Sequence, residues 1–99
     1  MSRPPVLDAD ALAAAMTGAG APAWDLVDGR LVKTVTCTTF PAALDFVVAV
    51  GALAEEADHH PDIDIRWRTV TLVLVTHDAG GLTELDVALA RAVDALPVG

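Results

Sequence analysis

Apolar positions along the chain switch between helical and strand spacing, and the switches mark the elements. Leu7, Ala11, Leu12, Ala15 and Met16 recur at helical spacing behind Asp8 and Asp10, which predicts a short first helix over Leu7–Met16. Thr17 to Pro22 is a loop rich in helix breakers. Its Gly18 and Gly20 follow no strand and lack a third glycine, so they carry no phosphate-loop signal. Trp24–Val27 and Arg30–Thr36 are β-prone runs joined by Asp28-Gly29, a pair that favours a two-residue hairpin turn. Thr39-Phe40-Pro41 opens a long helix, with Thr39 as cap and Pro41 in the first turn. Leu44, Val47, Val48 and Leu53 give that helix a broad apolar face, and the pattern runs to about Ala57.

Pro61 excludes helix at His60, so the chain turns around His59-His60-Pro61. Ile63–Trp67 and Val70–Thr76 read as two further strands joined near Trp67-Arg68-Thr69, and His77 to Gly81 reads as a turn. Thr83-Glu84-Leu85-Asp86 resembles a capping box with Asp in the reach-back position. Leu85, Leu89, Ala92, Val93 and Leu96 line one face of a last helix that Pro97 stops. The order is α-β-β-α-β-β-α, an α+β fold with a four-stranded antiparallel sheet and helices packed on one face. An uncovered sheet edge in so small a fold favours pairing with a second copy.

The length, 99 residues, bounds this to one domain over residues 1–99, with residues 1–5 as a frayed tail. Six Lys and Arg against 14 Asp and Glu give a net charge of −8, which argues against nucleic-acid and anionic-membrane partners. No apolar run approaches the roughly 20 residues of a membrane span. No signal-peptide pattern is present, and the single cysteine, Cys37, allows no intrachain disulfide. The expected location is cytoplasmic.

All three histidines, His59, His60 and His77, fall at element boundaries. Imidazole holds or releases a proton near neutrality, so three of them beside acids suggest general acid–base work. Glu55 precedes His59 by one helical turn, Asp78 and Asp86 flank His77, and a neighbouring carboxylate would fix a histidine's tautomer. The plainer alternative for each histidine is a solvated or capping group, and for Asp86 it is the capping box alone. A zinc site of the three histidines and a carboxylate is disfavoured, because adjacent turn histidines diverge and no cysteine pair supports it.

Glu55, His59-His60-Pro61, Trp67, His77 and Asp86 also stand at a recognisable set of spacings. With them go Trp24, Asp28-Gly29-Arg30, Phe40, Phe46, Thr76-His77 and Gly81-Leu82-Thr83-Glu84. The chain thereby resembles the pterin-4a-carbinolamine dehydratase family over Trp24–Leu96. The resemblance implies the fold reached above and a homo-oligomer, dimer or tetramer, with sheets joined across an edge. It implies a hydro-lyase that eliminates water from 4a-hydroxytetrahydropterin to give quinonoid dihydropterin, recycling the cofactor of aromatic amino acid hydroxylases. It implies no metal and no bound cofactor. On the matching positions His59 and His77 would be the acid–base residues, His60 would help bind the pterin, and Glu55 and Asp86 would orient or tune them. His59, His60, Pro61, Thr76, His77, Asp78 and Ala79 would line the pocket. One departure is Asp78-Ala79, where the family commonly has Glu-Cys. The alternative is a non-catalytic binding or assembly protein on the same fold, since some relatives act as a transcription-factor dimerisation cofactor or as assembly chaperones.

Overall fold

The structure, a computed structural model, describes residues 4–97. Its order is α1 (Ala9–Ala15), β1 (Asp25–Val27), β2 (Arg30–Thr36), α2 (Phe40–Ala57), β3 (Asp62–Arg66), β4 (Thr69–Leu74), a short 3-10 turn (His77–Ala79) and α3 (Glu84–Asp94). The expected α+β order therefore stands, with element ends shifted by a residue or two. The first helix is the shorter piece that Asp8 caps, its carboxylate accepting from the Ala11 N–H at 2.7 Å. Of the expected tail, residues 1–3 lie outside the described residues, and Pro4 is half-buried.

The four strands form one antiparallel sheet in the order β1-β2-β4-β3. Asp28 and Gly29 both take positive φ, 50° and 75°, as a tight hairpin turn between β1 and β2 requires. The two hairpins meet where β2 pairs with β4, so β1 and β3 are the edges. Alternation places Leu31, Val35, Val70, Leu72 and Leu74 on one face, all buried. The opposite face carries Thr34, Thr36, Thr69 and Thr71, none of them buried.

Helix α2 starts where Thr39 accepts from the Ala42 N–H at 3.1 Å. It packs on the apolar sheet face through Ala43, Phe46, Val50 and Ala54. That differs from the face expected from sequence. Leu44 and Val48 are exposed, while Val47 and Leu53 are only half-buried. The helix is apolar nearly all round, so spacing alone could not choose its inward stripe. Packing chose small alanines beside Phe46, which let the helix approach the sheet. Helix α3 completes the core with Leu89, Ala90 and Val93. Its last turn is tied to the first hairpin by Asp94, which accepts from the Ala23 N–H at 2.7 Å and the Trp24 Nε1–H at 2.9 Å.

Leu72 lies at the centre of this core with no exposure. Leu72→Ala is expected to lower unfolding free energy by about 2–5 kcal/mol, through lost burial and the cavity left behind. Urea denaturation of the two proteins measures it.

Candidate active site

Three segments meet at one end of the sheet: the C-terminus of α2, the exit of β4 and the N-terminus of α3. Strand β3 pairs with β4 at Asp62↔Val73 and Ile63↔Leu72. Continuing that register backward sets His60 level with Val75 and His59 level with Thr76. The third segment arrives by a tight reversal. Gly80 takes φ 81°, and Thr76 and Gly81 form a bridge in which the Thr76 N–H donates to the Gly81 carbonyl at 3.1 Å. Thr83 and Asp86 are thereby returned against Thr76.

Helix α2 ends at Ala57, and Asp58 takes a left-handed conformation, φ 49°. Asp tolerates that region better than most residues other than glycine. The Asp58 and His59 N–H groups donate back to the carbonyls of Glu55 and Ala54, at 3.2 and 3.1 Å. This reversal breaks the helical spacing between Glu55 and His59. Glu55 Oε1 instead lies 2.6 Å from His60 Nε2, with both side chains largely exposed. His59 turns the other way and its Nε2 lies 2.5 Å from Asp86 Oδ1.

Asp86 is fully buried. Its Oδ2 accepts from the Thr83 N–H at 2.9 Å, closing the capping box, and from the Thr76 hydroxyl at 2.8 Å. A buried carboxylate is costly unless its oxygens are satisfied, and here both are. No buried side-chain N or O atom among the described residues is without a hydrogen-bond partner. Asp86 thus serves His59 and the helix cap at once, and it does not bond the His77 it was expected to flank. As a carboxylate it only accepts, so the pairing sets the proton of His59 on Nε2 and leaves Nδ1 as the ring nitrogen free of Asp86.

An open cleft of about 580 Å³ lies over these groups, lined by His59, His60, Thr76, His77, Asp78 and Leu85 among others. The three histidines share its wall. Pro61 and Ala79, also expected there, are half-buried and lie outside the lining, as do the exposed Glu55, paired with His60, and the buried Asp86, paired with His59. Trp67 is remote in role: it sits at the β3–β4 turn with φ 54°, 71% exposed, and the Arg68 guanidinium lies 4.8 Å from its ring centroid. Among the described residues no group of three or more His, Cys, Asp or Glu side chains is arranged to hold a metal ion. Sequence reading saw Thr83 only as a cap and did not link Thr76 to Asp86. Their spacing carries no signal for that contact, because the Thr76–Gly81 reversal creates it.

The sequence model for "Pterin 4 alpha carbinolamine dehydratase" matches residues 5–96. The chain belongs to the pterin-4a-carbinolamine dehydratase family. A Chloroflexus aurantiacus protein named "Putative pterin-4-alpha-carbinolamine dehydratase" is 58% identical over 73 residues, 74% of this chain and 78% of that protein. A Mycobacterium sp. (strain KMS) protein of the same name is 52% identical over 92 residues, 90% of this chain and 93% of that one. Among solved structures, a transcriptional coactivator/pterin dehydratase from Brucella melitensis superposes with TM-score 0.84 at 29% identity, covering 95% of this chain and 99% of that one. A pterin dehydratase-like protein identified as a RuBisCO assembly factor in the alpha-carboxysome superposes with TM-score 0.62 at 26% identity, covering 77% and 90%. Of the family's motif positions in this chain, His59, His60 and His77 line the cleft, Asp86 is paired with His59 and Glu55 with His60, Pro61 lies outside the lining, and Trp67 falls at the β3–β4 turn.

Asp86→Asn tests the carboxylate's part. The Asn side chain must keep its oxygen on the Thr83 N–H and Thr76 hydroxyl, which turns its amide NH₂ toward His59. The His59 proton is expected to move from Nε2 to Nδ1, the tautomer error that costs a serine-protease triad about 10⁴ in rate. ¹⁵N imidazole spectra of the labelled proteins read the change directly. An unmoved Nε2 proton would show that Asp86 does not set the tautomer.

Proposed function

We propose that this chain dehydrates a 4a-hydroxytetrahydropterin to the quinonoid dihydropterin. The observation that carries the reading is the sharing of one cleft by His59, His60 and His77, with Asp86 locked behind His59. The elimination breaks the bond from carbon 4a to the hydroxyl oxygen, which takes a proton and leaves as water. The N5–H bond electrons form the new carbon–nitrogen double bond, and the N5 proton passes to a base. One proton is thus given and one taken, with no net oxidation.

His59 suits the base. Its Nδ1 is free of Asp86, and the carboxylate behind the ring stabilises the imidazolium that forms. His77, exposed at the rim of the same cleft, suits the acid that protonates the leaving hydroxyl. His60, paired with Glu55, supplies a binding group for the polar edge of the pterin. His59→Ala and His77→Ala are each expected to lower kcat about 10²–10⁴-fold while the circular dichroism spectrum stays that of the parent. His60→Ala is expected chiefly to raise KM. Turnover of the carbinolamine at the parent rate by both His59→Ala and His77→Ala would sink the assignment.

A second reading, a binding or assembly role, draws on the likeness to the RuBisCO assembly factor and on the unpartnered stripe of α2. A dehydration assay on the purified protein separates the two, and the full set of histidines and acids favours the enzyme. The stripe comprises Phe40, Leu44 and Val48, which are 45%, 43% and 71% exposed. With the open β3 edge it supports a homo-oligomer, since apolar surface of this kind is seldom left to water. Sedimentation velocity at micromolar concentration is expected to show a dimer or larger. A lone 10.2 kDa species would overturn that part.

A further inference from the structure

We propose that Thr76 is a positioning residue, whose hydroxyl acts through Asp86 to hold His59 in one tautomer. The inference deepens the dehydration reading and rests on it. Thr76 borders the cleft, so the simpler expectation is a polar contact with the pterin.

The direction of the hydrogen bonds gives the hydroxyl a different task. Asp86 can only accept, so the Thr76 hydroxyl proton, 2.8 Å from Oδ2, is committed to it. Thr76 Oγ1 also lies 2.8 Å from Thr83 Oγ1. With its own proton committed, Thr76 accepts there and Thr83 donates. Thr83 Oγ1 in turn accepts from the Leu85 N–H at 3.2 Å. Both hydroxyl rotors are therefore fixed. The backbone of Thr76 is equally engaged: its N–H donates to the Gly81 carbonyl, and its carbonyl accepts from the Ala79 and Gly80 N–H groups at 3.1 and 3.0 Å. The residue is 5% exposed. Thr76 therefore has no proton left to donate to a ligand: its hydroxyl hydrogen and its N–H are both committed within the protein.

Asp86 divides its two oxygens between two tasks. Oδ1 faces His59, and Oδ2 is gripped by the Thr83 N–H and the Thr76 hydroxyl. Without Thr76, Oδ2 would be held by the Thr83 N–H alone. The second donor, arriving from the end of β4, fixes the plane of the carboxylate and with it the direction of Oδ1. Networks of this kind are sensitive to the loss of one member, because Asp86 and Thr83 are buried away from water that could replace it.

The test is a set of substitutions at Thr76, read by ¹⁵N imidazole spectra and by steady-state kinetics. Thr76→Val keeps the shape and deletes the hydroxyl. It is expected to give His59 a mixture of tautomers and to lower kcat about tenfold, the scale of one hydrogen bond to a charged group, with KM within about twofold. Thr76→Ser returns the hydroxyl and is expected to rescue both readouts. Thr76→Cys, a far weaker donor of similar size, is expected to move both in the direction of Val, and it serves if the Val protein does not fold. A raised KM with an unchanged His59 spectrum would make Thr76 a substrate contact and overturn the proposal. Parent-like spectra and turnover in both Val and Cys proteins would overturn it as well. Should the tautomer follow the hydroxyl while the parent itself fails to dehydrate the pterin, the coupling of Thr76 to His59 stands and the dehydration reading falls.

Discussion

The structure around the cleft depends on one buried carboxylate. Asp86 has no exposure, and a lone anion at such a position would be strongly disfavoured. It is tolerated because three groups from three segments converge on it: His59 from the turn after α2, the Thr76 hydroxyl from the end of β4, and the backbone N–H of Thr83, whose own hydroxyl braces Thr76. The requirement runs in both directions. The acid needs these partners to be buried at all, and each partner is held in place by answering that need. A histidine restrained in this way keeps one defined ring nitrogen free of the carboxylate.

The rest of the fold supplies the convergence. The antiparallel pairing of β3 with β4 makes the entry to one strand and the exit from the other neighbours. The left-handed Asp58 ends α2 abruptly enough to send His59 inward and His60 outward. The Thr76–Gly81 bridge folds the chain back so that α3 begins against the same spot. The core beneath, Leu72, Leu74 and Val50 among others, is ordinary close packing, but it fixes the distance between α2 and the sheet and hence between His59 and Asp86.

Away from the cleft the molecule presents a different chemistry. The outward side of α2 is apolar, and the outer face of the sheet bears threonines. No helix among the described residues is long and apolar enough to cross a membrane. The same helix that carries Glu55 at one end thus leaves Leu44 and Val48 exposed along its length.

Much was legible in the sequence alone. The element order followed from period changes and from local chemistry that acts over a few residues: Asp28-Gly29 for a tight turn, Thr39 and Thr83 as caps, Pro61 as a break. The spacing of Glu55, His59 to Pro61, Trp67, His77 and Asp86 identified the family, because a motif is a property of the linear chain. Tertiary structure decided what depends on distance in space. The inward stripe of α2 was one such matter, since an all-apolar helix has no preferred face until it meets a sheet. The pairing of acids with histidines was another. Sequence spacing joined Glu55 to His59 and Asp86 to His77, whereas the αL turn at Asp58 and the strand register joined Glu55 to His60 and Asp86 to His59. Which carboxylate serves which imidazole is set by where the backbone reverses, and a reversal of one residue redirects every side chain that follows it.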